Sequence, residues 1–128
     1  DGVFCCCMDA RRAQVYNAVF EKTGSELVRL REDRAISLED LCEDLQNIEK
    51  PIFLVGDGAE LCYTTLLVRL PQLTLLPEHL RQQRASGVAL AAWEKIGRGE
   101  SGDAASLVPN YLRLSQAERA RLEKTKTE

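Results

Sequence analysis

Residues 3–20, VFCCCMDARRAQVYNAVF, constrain the fold of this chain more than any other stretch. Two mostly apolar runs, Val3–Met8 and Gln14–Phe20, flank a single charged break. The first run is short and rich in Val, Phe and Cys, which is typical of a strand buried on both faces. The second is β-branched and aromatic, and it has the length of a strand. The pattern predicts two antiparallel strands at the centre of a sheet, with Asp9 at the rim where ligand-facing groups lie.

The remaining apolar runs predict strands and helices in alternation. Leu27–Leu30 is predicted to be a third strand of the meander, and Ser37 to cap the helix that follows it. Ile52–Val55 predicts an interior parallel strand covered on both faces. The later predicted elements are a helix at Ala59–Leu70, a strand at Gln72–Leu76, and a helical region after Pro77 that is clearest over Ala85–Ile96 and capped by Gly97.

This order of elements predicts the fold class and the domain division. Three meandering strands followed by helix–strand units are the ribonuclease H-like order, an α/β fold that also builds each lobe of the actin-like ATPases. Residues 1–114 are predicted to form this lobe, and 115–128 a charged helix or tail that begins with a capping box at Ser115–Glu118. The chain starts at Asp1 without an initiator Met, so it is expected to be one lobe cut from a longer protein.

Charge and cysteine content narrow the functional classes. The 17 basic and 20 acidic side chains give a net charge of −3, which argues against a nucleic-acid surface over the whole domain but not against a local patch. No apolar run is long enough to span a bilayer, so no membrane partner is expected. The five cysteines lack zinc-ligand spacing and lie in apolar runs. They are predicted to be reduced core residues of a cytoplasmic protein, with a redox or metal site as the alternative.

The Gly56-Asp57-Gly58 motif is the most chemically suggestive in the chain. Glycines between the carboxyl end of a strand and the start of a helix let a ligand phosphate approach the backbone. The charge of Asp57 repels phosphate, however. A tight strand-to-helix turn in which Asp57 caps the helix is therefore favoured over a nucleotide site.

The other chemistry-bearing residues are predicted to be structural. Asp9 and Asp57 on one rim, with Glu39 or Glu43 approaching from the first helix, match the carboxylate set of a two-metal nuclease. However, Asp9 can pair with the arginines that follow it, and both glutamates can be solvated helix surface. His79 is predicted to lie on the surface, and Tyr63 and Trp93 to be core or partly buried. The arginines are predicted to be separately solvated rather than gathered in one patch; they are Arg11, Arg12, Arg81 and Arg84.

Three segments together resemble the second lobe of the TsaB (YeaZ-like) family. They are residues 8–16, MDARRAQVY, residues 56–59, GDGA, and residues 109–113, PNYLR. They occur in the family's order and span nearly the whole chain. The resemblance implies a C-terminal lobe of the actin-like (ASKHA) ATPase fold, whose first lobe would precede it.

The resemblance also implies a role in making threonylcarbamoyladenosine on tRNA. In that system a TsaD-type paralogue carries the metal and transferase chemistry, a TsaE-type ATPase is a further partner, and the TsaB-like protein is a non-catalytic scaffold. No catalytic or metal-binding residue is then expected in this lobe. The chain is expected to associate with tRNA indirectly, through the complex. A homodimer is also compatible with the resemblance.

The resemblance implies that Asp9, Gly56, Asp57 and Gly58 form a degenerate nucleotide site. No cofactor is expected in the isolated lobe, and ATP with Mg²⁺ would matter only in the full complex. Two alternatives from other classes remain open, the ATP-binding lobe of an actin-like kinase or ATPase and a metal-dependent nuclease.

Overall fold

The computed structural model describes residues 1–100 and 102–113. The elements in chain order are β1 Gly2–Asp9, β2 Gln14–Thr23, β3 Glu26–Ser37, α1 Leu38–Leu45, β4 Ile52–Val55, α2 Ala59–Leu66, β5 Leu73–Leu75, α3 Glu78–Arg81 and α4 Ala85–Gly97. The predicted order is confirmed, although β3 is longer and α2 shorter than predicted. The capping box at Ser115–Glu118 and the predicted tail 115–128 lie outside the described residues.

The five strands form one mixed sheet in the order β3-β2-β1-β4-β5. β1 pairs antiparallel to β2, with Cys5 opposite Val19, and parallel to β4 on its other side. β4 in turn pairs parallel to β5. The predicted central hairpin and the predicted interior position of β4 are therefore both confirmed.

One face of the sheet carries the hydrophobic core. Alternate residues of β1 point to this face, and α1 and α2 both pack on it. The fully buried side chains include Val3, Cys5, Cys7, Val15, Val19, Leu41, Cys42, Leu45, Ile52, Leu54, Cys62 and Leu70. Four of the five cysteines are buried core residues, as predicted, and Cys6 is half-buried.

The opposite face of the sheet is more open than the sequence predicts. Phe4 of β1 and Phe53 of β4 are only half-buried there, and Met8 is exposed. The rings of Phe4 and Phe53 contact each other at a tilt, with their centroids 5.2 Å apart. Within residues 1–100 and 102–113 the prediction that β1 and β4 are covered on both faces is wrong, because α1 and α2 pack on the same side of the sheet.

A buried polar network ties β1, β2, β3 and α1 together. Asn17 of β2 is buried, and its Nδ2 donates to the Cys6 carbonyl oxygen at 2.9 Å. Its Oδ1 accepts from Arg34 Nε at 3.1 Å, and Arg34 Nη2 donates to Asp44 Oδ2 at 2.6 Å. Burial raises the pKa of Asp44, but hydrogen bonds from Arg34 and Arg31 outweigh that effect and hold the pKa below its ordinary value of 3.8.

The helix ends show one confirmed prediction and one correction. Ser37 is the N-cap of α1, and its Oγ accepts the Asp40 amide at 3.0 Å. Gly97, predicted to cap α4, is instead its last helical residue. The helix is terminated by Gly99, which has φ +79°. The Gly99 amide donates to the Ile96 carbonyl oxygen, and the Glu100 amide donates to the Lys95 carbonyl oxygen, both at 2.9 Å. These two bonds form a Schellman motif.

Helix α4 departs furthest from its predicted environment. In the part of the chain that the structure describes, none of its side chains is buried. The prediction that Trp93 belongs to the core is wrong, since the side chain is 75% exposed. Tyr63 of α2 is half-buried against the core, as predicted. Among residues 1–100 and 102–113, there is no helix long and apolar enough to cross a membrane.

Candidate functional site

The three segments that carry the family resemblance meet at the carboxyl end of β1. The Asp9 amide donates to Asp57 Oδ1 at 3.3 Å, and the Gly58 amide donates to the Cys7 carbonyl oxygen at 3.0 Å. The Arg113 guanidinium donates to the carbonyl oxygen of Ala10. We call the residues gathered here the motif rim; they are Asp9–Arg12, Gly56–Gly58 and Arg113.

Asp9 is neutralised by its own turn. Its Oδ1 accepts the Arg11 amide at 2.7 Å, and its Oδ2 accepts the Arg11 guanidinium at 3.1 Å. The pairing of Asp9 with a following arginine is therefore confirmed. The Arg11 side chain remains 86% exposed, so this ion pair lies at the surface and contributes little to stability.

The turn between β1 and β2 is strained. Arg11, Arg12 and Ala13 have φ of 64°, 55° and 54°, in the left-handed region that L-residues other than glycine disfavour by about 1–2 kcal/mol each. The turn is closed by the Gln14 amide, which donates to the Arg11 carbonyl oxygen at 3.1 Å. The Leu38 amide donates a hydrogen bond to the Ala13 carbonyl oxygen at 3.0 Å. Turns with two consecutive positive φ angles favour Asn-Gly, and the chain has Arg-Ala there.

The glycines of the Gly56-Asp57-Gly58 motif make room for β1 itself. Gly56 has φ +98°, and a Cβ there would lie 2.1 Å from the Cys7 carbonyl oxygen. A Cβ on Gly58 would lie 2.9 Å from the Asp9 amide nitrogen. The glycines are therefore required by the close approach of β1 to this turn, which is a structural reason for glycine at both positions.

Asp57 does not cap α2, so that prediction is wrong. Gly58 holds the N-cap position, which places Asp57 one residue too early to reach the first helical amides. Its carboxylate accepts the amide of Asp9 across the rim instead. The two aspartates are thus brought together as predicted, in contact through a backbone amide.

The prediction that Arg81 is a separately solvated residue is wrong, because its backbone is bound at the glycine turn and its side chain is largely buried. The Gly56 amide donates to the Arg81 carbonyl oxygen at 2.6 Å, which docks α3 on the end of β4. The Arg81 side chain is 15% exposed and pairs with Glu60 at 3.2 Å. No local pattern predicts this contact, because α3 returns to the rim through tertiary packing. The exposed position of His79 on α3 is as predicted.

Segment 109–113 lines an open cavity of about 590 Å³ against the less covered face of the sheet. The volume lies within the range of small-molecule sites. Apolar and aromatic side chains dominate its lining, which includes Cys6, Met8, Tyr16, Phe20, Tyr111 and Arg113. Burial and the neighbouring Cys5 raise the pKa of Cys6 to about 11, so its thiol stays protonated and is a poor nucleophile at neutral pH.

Beyond the Asp9–Asp57 pair, no further carboxylate of the nuclease alternative joins the rim within the described residues. Glu39 of α1 pairs with Arg69 at 2.5 Å rather than facing the rim. Within the described residues, no three His, Cys, Asp or Glu side chains are placed to hold one metal ion.

Comparison with known proteins finds relatives both in sequence and in structure. No family model matches the chain. Over 129 residues the chain is 30% identical to the tRNA threonylcarbamoyladenosine biosynthesis protein TsaB of Bacillus subtilis strain 168. The resemblance to the TsaB family is confirmed. The match covers 98% of this chain and 54% of the TsaB relative, so the chain spans about half of that protein's length.

Two solved structures from Pseudomonas aeruginosa share the fold of this TsaB-like chain. YeaZ superposes with a TM-score of 0.56 at 17% identity, over 86% of this chain and 50% of YeaZ. An uncharacterized protein with similarity to the peptidase YeaZ gives a TM-score of 0.55, also at 17% identity, over 88% of this chain and 50% of that one. The mixed α/β architecture is therefore that of the YeaZ-like proteins.

Proposed function

We propose that this chain is a non-catalytic partner subunit in the threonylcarbamoyladenosine modification of tRNA and pairs with a TsaD-type transferase. The observation that carries the proposal is the 30% identity to a protein named for that pathway, which extends over 98% of the chain. The motif rim supports it, because the three segments of the resemblance are joined there by hydrogen bonds. In this proposal the chain is a ribonuclease H-like lobe of a longer actin-like protein in the cytoplasm, with a TsaE-type ATPase as a further partner.

The state of the rim carboxylates supports a scaffold rather than a catalyst. A general base must direct a free lone pair at the proton that it removes. Here Asp9 binds Arg11, Asp57 accepts the Asp9 amide, and Glu60, which lies beyond the rim in α2, binds Arg81. Each carboxylate is thus engaged with the chain itself, which is the arrangement of a structural rim.

An ATP-binding lobe is the second candidate, because Arg81 lies close to the glycine turn. Arg81 would have to leave Glu60 to offset the repulsion between Asp57 and a phosphate, which is on the order of 4 kcal/mol at 4 Å and an effective dielectric of 20. The Gly56 and Gly58 amides already donate to carbonyl oxygens of the chain, which weighs against a phosphate there. Isothermal titration of the chain with Mg-ATP separates the two. We expect no binding heat, and micromolar affinity would favour the ATPase lobe.

Deletion of the coding gene tests the main proposal. We expect bulk tRNA from the deletion strain to lose threonylcarbamoyladenosine, measured by mass spectrometry of digested nucleosides. The wild-type gene should restore the nucleoside, and an affinity tag on the chain should co-purify a TsaD-type transferase. An unchanged nucleoside content in the deletion strain would overturn the proposal.

A further inference from the structure

We propose that the motif rim is an RNA-contact site in which Arg12 and Arg113 bind backbone phosphates and Tyr111 offers a surface for base stacking. The inference rests on the proposed function, since tRNA is the polyanion on which that pathway acts. The inference assigns RNA binding to one local basic patch of a chain whose net charge is negative.

The charges at the rim favour an anionic ligand. Arg11 is neutralised by Asp9, but no salt bridge or side-chain hydrogen bond within the described residues involves Arg12. Arg113 donates to the Ala10 carbonyl oxygen and forms no salt bridge with another described residue. The other acidic group on the rim, Asp57, accepts the Asp9 amide. Three arginines therefore face two aspartates, in a chain whose net charge is −3.

The strained turn gives an independent reason to assign Arg12 a role outside the fold. At φ 55° a glycine would relieve the strain, so arginine is the less stable choice at this position. Its guanidinium makes no visible contribution to the fold in return. Strain of this kind is retained where the side chain has a functional contact, and a guanidinium at an exposed turn fits a phosphate oxygen.

The adjoining segment adds the aromatic part of an RNA site. Tyr111 lies two residues before Arg113, is 83% exposed, and lines the same cavity as Met8 and Tyr16. An exposed aromatic ring beside arginines is the combination that unpaired RNA bases and their phosphates recognise. A single nucleotide fits less well, because the Gly56 and Gly58 amides that would bind its phosphate already donate to the Arg81 and Cys7 carbonyl oxygens. The rim is therefore assigned to an RNA loop rather than to a mononucleotide.

Fluorescence anisotropy with a labelled anticodon stem-loop RNA tests the site on the whole 128-residue chain. Two phosphate contacts predict a slope of about −1.4 in a plot of log affinity against log salt, at about −0.7 per contact for unpaired RNA. Arg12→Gly should weaken binding about 3- to 10-fold and make the slope shallower by about 0.7. Tyr111→Ala should weaken binding without changing the slope.

Two matched variants control for folding and for general charge. Ala13→Gly relieves the same kind of strain without removing a charge, so it should melt at a higher temperature, as Arg12→Gly should, but keep full RNA affinity. Arg98→Ala removes an exposed arginine that pairs with Glu100 beyond α4, and it should also keep full affinity.

Three outcomes would overturn the RNA site. They are no binding at about 50 mM salt, equal losses in Arg12→Gly and Arg98→Ala, and displacement of the RNA by micromolar ATP or pyrophosphate, which would assign the rim to a free phosphate group. Failure of the proposed function is distinguishable. If the deletion strain keeps its threonylcarbamoyladenosine while Arg12-dependent RNA binding persists, the function fails and the contact stands.

Discussion

Replacing Gly56 with alanine tests whether the glycine turn is required by the fold. Gly56 has φ +98°, and an added Cβ would lie 2.1 Å from the Cys7 carbonyl oxygen. A non-glycine residue in this region costs about 1–2 kcal/mol. The turn and β1 must also separate by about 1 Å, and overpacking of this kind adds about 1–3 kcal/mol. We therefore expect Gly56→Ala to lower the free energy of unfolding by about 2–5 kcal/mol.

Gly24 offers a matched control for this prediction. It also has a positive φ, 59°, but a Cβ there would meet no described atom within 4 Å. Gly24→Ala should therefore cost only the conformational part, about 1–2 kcal/mol. Urea unfolding followed by circular dichroism measures both variants against the wild type. Equal losses in the two variants would refute the reasoning, because they would mean that β1 does not approach the turn as described.

Three further predictions concern the core and its polar network. Asn17→Ala should lower the free energy of unfolding by about 1–3 kcal/mol, since the part-buried Cys6 carbonyl loses its Asn17 donor and Arg34 keeps only Asp44 as a partner, and urea unfolding checks this. Because the pKa of Asp44 is lowered from 3.8 in the folded state, the Asp44 carboxylate stabilises the fold above about pH 3.8, and this stability is lost as the pH falls below that value. Asp44→Asn should therefore reduce the fall of the melting temperature at acidic pH. Cys7→Ala at a fully buried site should cost about 1–2 kcal/mol, and Cys6→Ala at a half-buried one less than about 1; equal unfolding midpoints would contradict the burial pattern.

The parts of the fold that the sequence predicts correctly are those encoded by local pattern. Two apolar runs of strand length around one charged break predict the β1–β2 hairpin, and Ser37 before an acidic first turn predicts the start of α1. Coverage of the sheet could not be predicted in this way. An apolar run such as Ile52–Val55 has the same composition whether helices pack on one face or on both.

The candidate site shows the same division between local and long-range information. The Asp9–Arg11 pair was predictable because the residues are near neighbours in the chain. The contact of Arg113 with Ala10 joins residues 103 positions apart, and that of Arg81 with Gly56 depends on the docking of α3. The left-handed backbone at Arg11–Ala13 was also beyond prediction, since the turn contains no glycine or asparagine to signal it.

Helix α4 is where local pattern and tertiary structure disagree most, and the disagreement has a measurable consequence. Its 13 residues are mostly apolar or small, yet within the described part of the chain none of them is buried. A lone helix of this length is marginal in water. We therefore expect α4 amides to exchange hydrogen far faster than those of α2, and iodide to quench Trp93 fluorescence nearly as well as it quenches free tryptophan. Gly87→Ala, whose Cβ meets no described atom within 4 Å, should slow α4 exchange through helix propensity alone, worth about 1 kcal/mol. If α4 is instead protected as well as α2 in the unmodified chain, its apolar side chains are covered in solution and the exposed position described for α4 is wrong.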